Sequence, residues 1–141
     1  MNTSATTPIS ISTTVNAPAE KVWEVWNNPE HIVQWSTPSS DWHTARATND
    51  LNKGGKFSSR MEAKDGSMGF DFEGVYDEVE PNKLISYTMA DGRKVKIVFS
   101  SQGDVTSINQ DFDPESENPR EMQQMGWQAI LDNFKSYTEQ L

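Results

Sequence analysis

The C-terminal segment, residues 118–141, most constrains the fold, because it is a long stretch with helical spacing that follows a series of strand-like segments. Asn118 can cap this helix, Pro119 suits its first position, and Glu121 completes a capping box. From residue 119 the helix is expected to span about 34 Å, long enough to cross a sheet from edge to edge. Such a helix must bury its apolar stripe, so the pattern predicts a helix packed on a sheet.

The buried face of this helix follows from placing successive residues 100° apart. The polar side chains of Asp132, Lys135 and Glu139 fall outside the apolar arc. The arc is flanked by Leu131 and Tyr137 and contains Gln123, Trp127, Ile130, Phe134 and Leu141.

Upstream of the helix, the chain begins with a predicted strand and two predicted short helices. Residues 9–15 alternate between apolar and small polar side chains, which is typical of a half-buried strand. Pro18 suits the start of the first helix, which we expect to end at residue 27 or 28. Asn28 can cap a second short helix that begins at Pro29, with Ile32 and Trp35 facing inward.

The region after residue 38 predicts a series of antiparallel hairpins. Strand-like segments cover residues 42–48, 57–64, 68–79, 84–89, 94–100 and 105–112. Turn signals separate them at residues 54–55, 65–66, 81–82, 91–92 and 103–104. The order therefore predicts an α+β helix-grip fold: a curved antiparallel sheet of about seven strands around the long C-terminal helix, with two short helices after the first strand.

Size and composition predict one domain over residues 8–141, preceded by a loose tail at residues 1–7. A chain of 141 residues can bury a substantial core. It has no Cys and a formal charge of -9, which argues against thiolate metal sites and against binding to nucleic acid or an anionic membrane. Neither a membrane span nor a secretory leader is predicted, so we expect a cytoplasmic protein.

A curved sheet cannot lie flat on a straight helix, so we expect a cavity between them. Inward-facing Trp, Phe, Met and Tyr side chains would give it an apolar lining suited to a small molecule. The candidate lining residues are Trp35, Phe57, Ser59, Met61, Phe70, Phe72, Tyr87, Phe99, Met122, Gln123, Gly126, Trp127 and Ile130.

Two of these candidates, Gln123 and Gly126, leave alternatives open. The amide of Gln123 could orient a ligand, or it could reach solvent or a backbone group near the start of the helix. Gly126 costs the helix about 1 kcal/mol relative to Ala, which predicts that something packs close to it. A strand, a ligand or Trp23 could lie there, and close packing of backbone is the favoured prediction.

Evidence for catalysis or metal binding is weak in this sequence. His31 and His43 have no partner at metal-ligand spacing, and an acid–base pair of Asp41 and His43 is the less favoured alternative to surface histidines. Ser59 has no base placed beside it, and Arg93 is read as a surface cation after a tight turn. The acidic residues at 111, 113, 115 and 117 lack the glycine and the final Glu of a calcium loop. We predict no catalytic residue, metal or cofactor.

Several separated motifs resemble one known family. NAPAEKVWEVWNNPEHIVQW, NDLNKGGKF, the pairing of FEGVYDEVEPNKLISYT with DGRKVKIVF, and GWQAILDNF are similar to bacterial single-domain homologues of the heat-shock-protein-90 ATPase activator. These belong to the START-like, or SRPBCC, superfamily. The resemblance covers residues 8–141 and implies a single START-like domain.

The resemblance and the residues together give three hypotheses for function. The first is binding of an apolar or amphipathic small molecule beneath the C-terminal helix. The second is a co-chaperone-like module that modulates a chaperone ATPase, although the resemblance extends only to the C-terminal domain of the eukaryotic activator. The third is an enzyme of the polyketide-cyclase or hydrolase kind, which would need a buried acid–base group.

Overall fold

A computed structural model describes residues 7–37 and 40–141, so almost all of the expected tail lies outside the described residues. In chain order, the first half contains β1 (Ile9–Val15), α1 (Ala19–Asn27), α2 (Pro29–Trp35), β2 (Trp42–Asn49) and β3 (Lys56–Ala63). The second half contains β4 (Gly69–Glu80), β5 (Leu84–Met89), β6 (Lys94–Gln102), β7 (Val105–Phe112) and α3 (Arg120–Glu139).

All seven strands form one antiparallel sheet in the order β1-β7-β6-β5-β4-β3-β2. Every predicted strand is present, and the predicted helix-grip class is confirmed. The turns also lie where the sequence predicts them. Each contains a residue with a left-handed backbone conformation, which tight turns often require. These residues are Gly54, Gly66, Asn82, Gly92 and Gly103.

The two short helices cover one end of the sheet. The side chain of Asn28 accepts a hydrogen bond from the Glu30 amide at 3.0 Å, as the predicted cap requires. Trp35 is buried, and its indole nitrogen donates to the Val25 carbonyl at 3.0 Å. This bond fixes the two short helices against each other.

The long helix α3 runs alongside β1. Its predicted length would have allowed it to cross the sheet from edge to edge, but it does not. Side chains of α3 donate to successive carbonyls of β1: Gln124 to Ser10 at 3.2 Å and Gln128 to Ser12 at 3.0 Å. Lys135 donates farther along, to Thr14 at 2.6 Å. These bonds satisfy the outer edge of β1, which would otherwise be open to another strand.

The ends of α3 differ from the prediction. The helix has 20 residues, about 30 Å, and Pro119 occupies the N-cap without a side-chain cap bond. The predicted capping box is wrong, because the Asn118 side chain donates to Glu115 at 2.8 Å instead. At the other end Leu141 is exposed, and the buried stripe finishes at Thr138.

The core lies between the sheet and the helices. Trp26, Trp35 and Phe134 pack together, with ring centroids 4.8 to 4.9 Å apart. On the sheet side, Phe112 is fully buried and stacks on Trp127. These ring contacts therefore join α3 to β7 and to the two short helices.

Candidate ligand-binding cavity

A cavity of about 430 Å³ lies between the concave face of the sheet and α3. Its origin is the position of α3: the helix follows β1 at one edge, so the inner faces of β3, β4 and β5 are only partly covered. The volume is in the range of sites that enclose small molecules.

Aromatic rings form the wall on the β3–β5 side. The Phe57 ring lies 4.7 Å from Tyr87 and 5.7 Å from Phe72, measured between ring centroids. The Phe72 ring is also 6.2 Å from Trp127, which reaches over from α3. Edge-on and tilted contacts of this kind hold the rings in place, so the apolar wall is largely preformed.

Most of the predicted lining residues do line this cavity. Phe99 does not, because it lies deeper in the core against Trp23 and Trp26, at 5.4 and 5.6 Å between centroids. Two of the lining residues, Phe70 and Met122, are 48% and 59% exposed and mark where the cavity opens to solvent. The predicted residues found in the lining are Trp35, Phe57, Ser59, Met61, Phe70, Phe72, Tyr87, Met122, Gln123, Gly126, Trp127 and Ile130.

Gly126 differs from its prediction in an informative way. A Cβ atom added to this residue would have nothing within 4 Å, so neither a strand nor Trp23 packs against it. Gly126 shares the inner face of α3 with Gln123 and Ile130 and lines the cavity. The missing side chain therefore enlarges the cavity instead of allowing close packing.

The side-chain amide of Gln123 forms hydrogen bonds with backbone groups. Its Oε1 accepts from the Glu115 amide at 2.8 Å, and its Nε2 donates to the carbonyls of Glu115 at 3.1 Å and Asn118 at 2.8 Å. Of the two alternatives, the structure thus supports the backbone role. Gln123 fixes the loop between β7 and α3, and that loop forms part of the cavity wall.

Two buried tyrosines, Tyr76 and Tyr87, line the cavity. Tyr76 donates to the side chain of Asn49, and burial raises the pKa of Tyr76 above its ordinary value. Burial also raises the pKa of Tyr87, with a smaller contribution from the neighbouring Tyr76. Both groups therefore stay neutral and can donate or accept hydrogen bonds in the lining.

The prediction omitted several lining residues, among them Arg93 and Gln110. Arg93 is only 26% exposed; it pairs with Asp91 at 2.8 Å and lines the cavity, so its reading as a surface cation is wrong. Gln110 is buried between the inward positions Ile108 and Phe112 and also lines the cavity. The alternation of side chains along a strand could have identified both as inward-facing. Arg93 lies two residues before the inward-facing Val95, and Gln110 lies two residues from both Ile108 and Phe112.

The two histidines and Asp41, which were considered for acid–base catalysis, do not line the cavity. His31 makes a 2.7 Å hydrogen bond with the Tyr137 hydroxyl, and His43 is 44% exposed with Glu62 as its nearest charged neighbour, at 3.6 Å. Asp41 is exposed. Among the described residues, the titratable side chains in the cavity lining are Tyr76, Tyr87, Arg93 and Glu115, which gives Ser59 no base.

In the described part of the chain, no three His, Cys, Asp or Glu side chains are placed to hold a metal ion together. Over residues 7–37 and 40–141, no helix has the length and apolarity needed to cross a membrane.

Comparison with known proteins identifies close structural relatives. The solution structure of Chr148 from Cytophaga hutchinsonii is 59% identical in sequence, with a TM-score of 0.82, covering 94% of this chain and 92% of that one. An AHSA1-like protein from Aeromonas hydrophila is 44% identical, with a TM-score of 0.85 and coverage of 94% and 93%. At 18% identity, protein NE0264 from Nitrosomonas europaea shares the fold, with a TM-score of 0.81 and 95% of both chains covered.

A family model agrees with these structures. The model described as Activator of Hsp90 ATPase homolog 1-like protein matches residues 16–139, which include every helix and all strands except β1. A search against curated proteins found no match.

Proposed function

This chain belongs to the Activator of Hsp90 ATPase homolog 1-like protein family, and from that premise we propose that it binds an apolar or amphipathic small molecule between its sheet and α3. The observation that carries the proposal is the cavity of about 430 Å³, walled by Phe57, Phe72, Tyr87 and Trp127. Burial of apolar ligand surface there contributes about 25 cal/mol per Å².

The position of Gly126 supports the same conclusion. A glycine in a helix interior costs about 1 kcal/mol relative to alanine, and no close packing compensates for that cost here. Binding of a ligand beside the helix would explain a glycine here, because any side chain at position 126 would occupy the cavity.

Fluorescence of N-phenyl-1-naphthylamine, a neutral apolar dye, tests the proposal. The dye should gain fluorescence on binding, quench the emission of Trp127 or Trp35, and raise the melting temperature. Absence of all three effects at concentrations up to the solubility limit of the dye would contradict it.

Two substitutions at one position make the test specific to this cavity. Gly126→Phe should fill the space beside α3 and weaken dye binding by about tenfold or more, which corresponds to about 1.4 kcal/mol. Gly126→Ala adds only one methyl group and should retain most of the affinity. Equal dye binding by both variants and the unsubstituted protein would place the dye elsewhere.

A second candidate is modulation of a chaperone ATPase, which the description of the family favours. It requires the cytoplasmic location that the sequence predicts. The ATPase rate of the Hsp90 from the same organism, measured with and without this protein, tests it. A change in rate that also occurs with Gly126→Phe would separate this role from ligand binding, whereas no binding at tens of micromolar would exclude it.

A further inference from the structure

Of the eight buried polar side chains among the described residues, five have a hydrogen-bond partner, and two of the other three lie in the same place. Asn27 and Thr106, for example, donate to backbone carbonyls at 3.0 and 2.8 Å. Within the described residues, Ser59 and Gln110 are buried at 7% and 6% exposure and their side chains have no hydrogen-bond partner. Both line the cavity.

Tyr87 adds a third group of the same kind. It is 7% exposed and lines the cavity, and its hydroxyl has no hydrogen-bond partner among residues 7–37 and 40–141. Thr138 also has a buried hydroxyl without a partner, but it does not line the cavity. Unlike the enclosed Thr138 hydroxyl, the polar atoms of Ser59, Tyr87 and Gln110 are accessible from the cavity, so they are free to form hydrogen bonds with a molecule bound there.

The strand registers show how these groups are distributed. Ser59 is on β3, Tyr87 is on β5, and Gln110 is on β7, so each lies two strands from the next. Neighbouring strands are about 4.8 Å apart, which spaces the groups along the cavity instead of clustering them at one point. A guest that lies across the sheet would pass all three.

We propose that the ligand is an uncharged amphipathic molecule whose hydroxyl or carbonyl groups pair with Ser59, Tyr87 and Gln110 inside the cavity. This inference rests on the proposed function and narrows its ligand class. A hydroxyl, or an amide like that of Gln110, both donates and accepts, so the three residues match oxygen-bearing groups on an otherwise apolar body.

The charges around the cavity favour a neutral guest. Arg93 is the cation in the lining, but its guanidinium already pairs with Asp91 at 2.8 Å. Glu115 lines the same cavity and contributes a negative charge, and the whole chain has a formal charge of -9. A carboxylate or phosphate group would therefore gain little from Arg93 and would meet a repulsive field.

Three matched probes test the inference: naphthalene, 2-naphthol and 2-naphthoate share one apolar body and differ in the polar group. Affinities are measured by quenching of tryptophan fluorescence for the unsubstituted protein and for Ser59→Ala, Tyr87→Phe and Gln110→Leu. At least one variant should bind 2-naphthol about 3- to 10-fold more weakly, the loss expected for one hydrogen bond, while its affinity for naphthalene is unchanged or higher. In the unsubstituted protein 2-naphthoate should bind more weakly than 2-naphthol.

Adjacent residues on the opposite face of the sheet give matched controls. Ser58→Ala and Asn109→Leu make the same kinds of change at side chains that point away from the cavity, and they should leave all three affinities unchanged. Equal loss of naphthalene and 2-naphthol in every cavity variant, or no loss in any, would overturn the inference while leaving apolar binding intact. Failure of all three probes to bind would overturn the proposed function as well.

Stability of the ligand-free protein provides a second readout. If the Gln110 amide forms hydrogen bonds only with a bound ligand, it does not stabilise the ligand-free protein. Gln110→Leu then removes an unpaired polar group and should keep or raise the melting temperature. A clear fall in melting temperature would show that the amide has a structural role, and this result would overturn the inference for Gln110.

Discussion

Phe112 of β7 and Trp127 of α3 stack face to face, with ring centroids 4.0 Å apart and planes 7° from parallel. This contact holds the middle of the helix on the sheet and sets the height of the cavity, since Trp127 also lines it. The fold and the site therefore depend on the same pair of rings.

Phe112→Ala should lower the free energy of unfolding by about 3–5 kcal/mol, because it deletes a fully buried ring and leaves Trp127 without its stacking partner. Urea unfolding measures the change. Phe70→Ala is the matched control: Phe70 is 48% exposed, so its loss should cost less than about 1 kcal/mol. Similar costs for the two variants would contradict the assigned role of the Phe112–Trp127 contact.

Gly126→Ala should raise the free energy of unfolding by about 1 kcal/mol, because alanine favours the helix and its Cβ meets nothing within 4 Å. Gly92→Ala is the comparison. It also has open space around the added atom, but Gly92 has a φ of 92°, which strains an alanine. Chemical unfolding should show opposite signs for the two variants, and stabilisation by both would contradict the backbone argument.

Gln123→Met should loosen the loop between β7 and α3, because it removes three hydrogen bonds to the backbone of Glu115 and Asn118. We expect a loss of about 1–3 kcal/mol and faster hydrogen exchange at the Glu115 amide. The same substitution at the exposed neighbour Gln124 should have a much smaller effect. Unchanged exchange at Glu115 in Gln123→Met would show that the loop is held by other contacts.

Glu139 should make folding sensitive to acid. The hydrogen bond from Lys135, followed by one from the Asn16 amide, lowers the pKa of Glu139 below its ordinary value of 4.5. Because the folded-state pKa is the lower one, the stabilisation is complete above about 4.5 and is lost as pH falls through the folded-state pKa. Glu139→Gln should therefore reduce the difference in unfolding free energy between neutral and acidic pH.

A second carboxylate shows whether that effect is specific to Glu139. Glu117 is exposed and has no hydrogen-bond or ion-pair partner in the described part of the chain. Glu117→Gln should leave the pH dependence of unfolding close to that of the unsubstituted protein. An equal change in both variants would mean that net charge, not the contact of α3 with Asn16, sets the acid sensitivity.

Local signals in the sequence predict the fold well. Alternation of side chains marks the strands, and the residues that need left-handed backbone, such as Gly66 and Asn82, mark the turns. Irregularities need pairing information that the sequence does not contain. The register shift between Tyr76 and Glu78 moves the inward face to Val79, and only the alignment of β4 with β5 determines it.

The site is less predictable because it depends on where α3 lies. Helical periodicity identifies Gln123 and Gly126 as inward-facing, but it does not show that one is bonded to a loop and the other faces open space. Polar residues at inward strand positions are a usable signal. Gln110 and Arg93 share the parity of Ile108 and Val95, and both are overlooked when only apolar residues are taken to face inward.

The order of the sheet has a consequence for synthesis of the chain. β1 is made before the other six strands, yet in the described part of the chain its one strand neighbour is β7, and Ser10 bonds Asp111 from 101 positions away. β1 therefore has no strand partner until β7 has been synthesised. We expect nascent chains that stop before β7 to be protease-sensitive, and native structure to form only after β7 has emerged.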